Sequence, residues 1–172
     1  VLDMDPTRTV RPLGLECASI VNAVNRTVAH VRNNDHVFGV ALGCLATRVR
    51  VHGRLQALMP RSITFEEAAT LPILWPTIDL AFGEEGAHLS GGHHLLIHAM
   101  TGGVGLVALE YAHLLFGAAT ASAGRPKKVA HAQCLGAKLV FSSRDPSAFL
   151  RGASTLVLAK RMHLVLSAFT QE

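Results

Sequence analysis

Residues 98–117 read HAMTGGVGLVALEYAHLLFG. Gly102, Gly103 and Gly105 follow the short apolar run LLIHA (95–99) directly and precede a helical pattern directly. Val104, Val107, Ala108, Tyr111, Leu114 and Leu115 fall at helical spacing, and the helix is apolar on nearly every face. A glycine-rich turn between the first strand and first helix of a βαβ unit offers backbone N–H groups and a helix N-terminus to an anion. One glycine makes the turn, one lets a pyrophosphate approach, and one lets the helix pack on the strand. The stretch therefore predicts a nucleotide-binding half.

The segments that follow fit this prediction. AATASA (118–123) reads as the next strand, although it has few of the β-branched residues that a buried parallel strand favours. PKKVAHAQCLGA reads as a helix, with Pro126 in its first turn and Gly136 on its C-cap side. KLVF (138–141) and HLVLSAF (163–169) read as third and fourth strands. Strand, helix, strand, helix, strand is the signature of a parallel sheet with crossovers.

The sequence before it has a different character. ECASIVNAV, DHVFGVAL and ATRVRVHGRL mix or alternate apolar and polar residues between turn segments, as half-buried strands do, and suggest a small barrel or sandwich-like unit. From Ser62 a helix is expected, with Ser62 or Thr64 as N-cap and Glu66 and Glu67 as first-turn acids. Pro72 and Pro76 interrupt it, and TIDLAFGEEGAHL continues as a second helical piece. The expected organisation is a barrel segment over 1–61, linking helices over 62–90 and a nucleotide-binding half over 91–172.

Composition narrows the function classes. The 172 residues are 49% hydrophobic and 16% charged, enough to bury a core and unlike a disordered chain. The net charge is +4, but the basic residues are scattered and aromatics make up only 5%, which argues against a nucleic-acid stacking platform. No apolar run approaches transmembrane length, and the N-terminus has no signal-peptide pattern. Cys17, Cys44 and Cys134 are odd in number, far apart and without a CxxC, which suits a reducing compartment, the cytoplasm or an organellar matrix.

The second strand supplies an independent test of the glycine turn. Versions that bind NAD place an acid about 20 residues past the turn to hold the ribose 2′-hydroxyl. Here SAGRPKK has no acid; it has Ser122, Arg125, Lys127 and Lys128. A hydroxyl and cations attract a 2′-phosphate, so NADPH is expected over NADH.

On these residues the chain resembles the enoyl reductase domain of type I polyketide and fatty acid synthases, in the zinc-independent part of the medium-chain reductase superfamily. The matching pieces are GLECASIV, DHVFGVALGCLATRV, FEEAATLPILWPTIDLAF, LLIHAMTGGVGLVALEYA, ASAGRPKK and VFSSRD, in that order. The resemblance implies an α/β fold: a partial GroES-like β-barrel segment followed by an incomplete Rossmann-type parallel sheet. It implies NADPH-dependent reduction of an enoyl thioester on an acyl carrier protein, within a larger synthase and as a homo-oligomer or a subunit of a complex. Thr101, Gly102, Gly103, Val104 and Gly105 would hold pyrophosphate. Ser122, Arg125, Lys127 and Lys128 would surround the 2′-phosphate, and Thr77 would lie near the nicotinamide. Lys127 or Lys128 and Asp145 match a Lys/Asp pair to which a proton-supply role is sometimes given.

Departures from the family pattern are also present. The family domain extends beyond both ends of this sequence, and the tyrosine often proposed as its proton donor belongs to the upstream part. Tyr111, the one tyrosine here, reads as core. Ser19 and Asn34 stand where the family has glycine, His163 where it has Asp, and Ser167 where it has Asn. A metal site needs three or four convergent ligands, and His93, His94 and His98 lack a matching acid or cysteine, so no metal is expected. His98 reads instead as a hydrogen-bonded core residue. The alternative to a reductase is a catalytically inactive, truncated reductase-like chain that serves as a structural or accessory subunit.

Overall fold

A computed structural model describes residues 13–115, 117–159 and 161–167. They divide into two compact units, one ending at Ile73 and the other beginning at Leu74.

In the first unit, Glu16–Ile20 (β1) and His36–Val40 (β2) pair antiparallel, with Cys17 opposite Gly39. Gln56–Leu58 (β3) adds antiparallel to the other edge of β2. Asn34 enters β2 with φ at 68°, a left-handed conformation that glycine adopts freely and asparagine tolerates. Ser19, the other glycine position of the family pattern, lies in regular strand β1.

The alternation of 46–55 does not become a strand. The His30 imidazole donates from Nε2 to the Gly53 carbonyl at 3.0 Å, and His52 Nδ1 accepts the Arg54 N–H at 3.3 Å. These bonds favour a single tight turn at Gly53–Leu55, so only the three residues after it lie against β2. Thr64 rather than Ser62 starts Phe65–Ala68 (α1). Its hydroxyl accepts the Glu67 N–H while the Glu67 carboxylate accepts the Thr64 N–H.

The second unit opens with Leu74–Phe82 (α2). Pro76 does not break this helix, because it sits in the first turn, where an N–H has no helical partner to lose. The chain turns at Gly83 and does not stay helical to Leu89. His94–Ile97 (β4), Ala118–Ala123 (β5), Leu139–Ser142 (β6) and Leu164–Leu166 (β7) form a parallel sheet in the order β6-β5-β4-β7. Numbered from β4, this order is 3-2-1-4, the start of the Rossmann winding. Gly103–Leu114 (α3) links β4 to β5, and Pro126–Cys134 (α4) links β5 to β6. The sequence pattern did not reveal Pro146–Leu158 (α5), which links β6 to β7.

The sheet has two different faces. Leu95 and Ile97 of β4 and Ala119 and Ala121 of β5 join Val107, Ala108, Leu109 and Ala112 of α3 in an apolar core. Burying Leu95 and Ile97 contributes about 1.5–3 kcal/mol each. The alanines of β5 make up for missing β-branched bulk by admitting helices closely. On the other face His94, Thr120, His98 and Ser122 form a polar seam. His94 Nε2 lies 2.6 Å from Thr120 Oγ1, and His98 Nδ1 lies 3.0 Å from Ser122 Oγ. Thr120 and Ser122 are the buried polar residues of the described core, and both are satisfied.

Two neighbouring positions in the glycine turn carry opposite constraints. A Cβ on Gly105 would stand 2.5 Å from Met100 Cα and 2.6 Å from its carbonyl oxygen. Ala99 holds φ at 51°, a conformation that costs a non-glycine residue about 1–2 kcal/mol. Gly105→Ala is expected to lower stability by about 1–3 kcal/mol through overpacking. Ala99→Gly is expected to raise it by about 0.5–1 kcal/mol, the strain relief less the added unfolded-chain entropy. Urea unfolding of the two variants should show shifts of opposite sign, and a harmless Gly105→Ala would contradict the close approach.

Candidate functional site

The C-terminal ends of β4, β5 and β6 surround a cleft of about 340 Å³. Ala99 and Thr101 come from the β4–α3 turn, and Ser122, Ala123, Gly124 and Arg125 from the end of β5. Lys128 comes from the first turn of α4, and Ser143 and Arg144 from the loop after β6. A neighbouring hollow of about 490 Å³ shares Ala123, Gly124 and Arg125 with it. Pro126, Val129, Ala130 and Val140 give that hollow an apolar lining. Open parallel sheets bind ligands at this end, beside the strand where the winding reverses.

Local sequence explains how each group is held. Gly102 is the N-cap of α3 and Arg125 the N-cap of α4, and neither helix start has a side-chain cap. Two helix starts thus keep first-turn N–H groups available to an anion. A Cβ on Gly103 would meet Leu74 at 3.1 Å, and one on Gly102 would meet the Ala99 carbonyl at 3.3 Å. Across the cleft, Ser142 Oγ accepts the Arg144 and Asp145 N–H groups, each at 3.2 Å, which fixes the loop that carries Arg144.

The structure brings together part of the set expected from sequence. Thr101, Ser122, Arg125 and Lys128 line the cleft, and Gly102, Gly103, Val104 and Gly105 begin the helix beside it. Three others lie outside the lining. Thr77 is exposed on α2, and Lys127 is exposed on α4. Asp145 caps α5, its Oδ1 accepting the Ala148 N–H at 2.9 Å. No hydrogen bond or ion pair joins Asp145 to Lys127 or Lys128 among the described residues. Ser122 backs the cleft with a fully buried side chain whose hydroxyl pairs with His98, so the hydroxyls nearer its opening are those of Thr101 and Ser143.

Sequence reasoning missed Ser143 and Arg144 as site residues. A cation just past the third strand was the available signal, and it follows the logic that singled out Arg125 and Lys128. Arg125, Lys128 and Arg144 give the cleft three cations, and no carboxylate lines it among the described residues.

Other titratable groups have structural surroundings. Tyr111 donates its hydroxyl to Asp79 at 3.1 Å and packs beside Trp75 and Phe82. Burial, then the Asp79 carboxylate, pushes this phenol up from its ordinary value. The Cys17 thiol is pushed up by burial and by Cys44, so these two cysteines, far apart in sequence, are neighbours in the fold. No group of three or more His, Cys, Asp or Glu side chains converges as a metal site among the described residues. No helix among them is long and apolar enough to cross a membrane.

No protein-family profile matches the sequence. Individual proteins do. A highly reducing polyketide synthase of Purpureocillium lilacinum is 30% identical over 95% of this chain, which spans about 7% of that synthase. The crystal structure of CurK enoyl reductase superimposes with a TM-score of 0.81 at 27% identity, covering 94% of this chain and 48% of that one. The chain is thus similar to reducing polyketide synthases in sequence and to enoyl reductases of the medium-chain reductase superfamily in fold. Escherichia coli quinone oxidoreductase, solved in complex with NADPH, matches this reductase fold over 97% of the chain and 51% of its own length, at 26% identity and a TM-score of 0.85.

The seam histidines make a pH prediction for this reductase-like chain. Burial, then Lys138, His163 and Arg161, hold the His94 imidazole below its ordinary 6.5, and burial alone does so for His98. A histidine depressed by folding takes up its proton more readily in the unfolded chain, so its contribution is complete above 6.5 and shrinks as pH falls below it. The unfolding midpoint should therefore drop on acidification below that value, and His98→Asn should flatten the drop. A wild-type midpoint independent of pH in this range would exclude the effect.

Proposed function

We propose that the chain is the cofactor-binding core of an NADPH-dependent enoyl reductase. Its substrate would be an enoyl thioester on an acyl carrier protein, and its setting a larger synthase whose other domains are its partners. The observation that carries this reading is the cleft itself: a glycine turn, two uncapped helix starts and three cations, with no acid lining it among the described residues, at the C-terminal edge of a Rossmann-type sheet. The glycine turn suits a pyrophosphate, the trio Arg125, Lys128 and Arg144 suits a 2′-phosphate, and the adjoining apolar hollow suits a flat base. When bound, NADPH would supply the hydride delivered to the β-carbon of the enoyl group. The residues of this chain bind and orient it, and Thr77 stays assigned to the nicotinamide side by resemblance. Of the Lys/Asp pair linked to proton supply, Lys128 is the member at the cleft.

A second reading, a non-catalytic accessory subunit, draws support from Asp145, whose carboxylate caps a helix. Titration with NADPH and NADH separates the possibilities. NADPH should bind more tightly, and Lys128→Ala or Arg144→Ala should each weaken it about tenfold or more while sparing NADH. Lys127→Ala should leave both unchanged. Failure to bind either dinucleotide would sink the cofactor assignment. Tight NADPH binding without oxidation by crotonyl thioester would favour the accessory reading.

A further inference from the structure

The polar seam continues to the N-terminal end of the sheet, opposite the cleft. There His163, the residue before β7, is bound to His94 twice. The His163 N–H donates to the His94 carbonyl at 2.9 Å, as in an ordinary ladder. The His94 N–H in turn donates to the His163 side chain, at Nδ1, also 2.9 Å away. That nitrogen accepts only when it carries no proton, so the bond fixes His163 as the neutral tautomer with its hydrogen on Nε2.

A third histidine lies against this pair. The His93 ring stacks on His163 with centroids 4.9 Å apart and planes 9° from parallel. His93 is itself held by Ser90, whose Oγ lies 3.1 Å from Nε2. The permanent charges acting on His94 from neighbouring segments, Lys138 and Arg161, are both basic. No acid is paired with His163 among the described residues.

β7 also pairs with β4 over three residues and packs Leu164 and Leu166 against the core. It has three residues, lies at the edge of the described sheet, and exposes half of Val165. At its far end the Leu166 carbonyl accepts the His98 N–H at 2.9 Å, so β7 is tied to the residue that opens the glycine turn.

We propose that His163 is a proton-sensitive latch for β7: the neutral imidazole accepts the His94 N–H and docks the strand, and a proton on Nδ1 turns that acceptor into a donor facing a donor and releases it. A neutral imidazole can take up a second ring proton, and that is what would switch this acceptor. A carboxylate at this position would accept the same N–H without such a switch. The latch is thus specific to histidine, and it does not depend on the cofactor assignment.

Amide hydrogen exchange of the full chain, corrected for intrinsic rates, tests this. From about pH 7.5 to 5.5, protection of the His94 amide and the β7 amides should fall about tenfold or more, while α3 amides change far less. His163→Asp should keep β7 protected at both pH values, and His93→Gln should retain the wild-type dependence. Unchanged β7 protection in the wild type, an equal loss in His163→Asp, or a loss abolished by His93→Gln would overturn the proposal. If His163→Asp does not fold, nitrogen chemical shifts of the wild-type imidazole answer instead. Protonation of Nδ1 should coincide with loss of the His94 amide bond, and bond loss at a different pH would refute the latch.

Discussion

The approach of Gly105 to Met100 is the contact on which the second unit depends. The helix backbone meets the backbone of the turn after β4 there with no room for a side-chain atom, so α3 starts close to the end of β4. That closeness places Gly102 and Gly103 at the mouth of the cleft, and it lets Val107, Ala108 and Ala112 lie flat on the sheet. The small residues of β5 follow from the same constraint. A helix drawn in that tightly needs alanines opposite it, and Ala119 and Ala121 provide them.

Such contacts explain why the second unit was legible in sequence. Glycines at 102, 103 and 105, a proline opening α4 and Gly136 closing it, with φ at 97°, are backbone requirements written as residue types. β5 could be placed over 118–123 because its flanks were marked, even though its composition was poor for a strand. The first unit was less legible. The alternation of 46–55 is a real pattern, but a strand needs an edge to pair with, and long-range bonds from His30 settle the path there. α5 is marked in sequence only at its start, where Asp145 caps it and Pro146 opens it.

The site was legible to a similar degree. The cations near β5 were visible because they replace an expected acid. Distinguishing Lys128 from Lys127 required the helix phase that only the fold provides. Ser122 shows the opposite case: a hydroxyl in the right segment whose partner, His98, lies on another strand. Neither its burial nor its bond can be read from the residue alone.

Ser142 adds a consequence for energetics. Its single hydroxyl pins two consecutive amides, the second of them that of Asp145, which caps α5, so Arg144 stands on backbone that is ordered without a ligand. Opposing cations at the rim of a cleft usually sit on loops that lose freedom when they close on a ligand. Here that entropy is spent during folding, and the charge arrangement is preorganised. The strength of the proposed anion site is therefore coupled to the stability of α5, a helix whose later turns lie beyond the cleft.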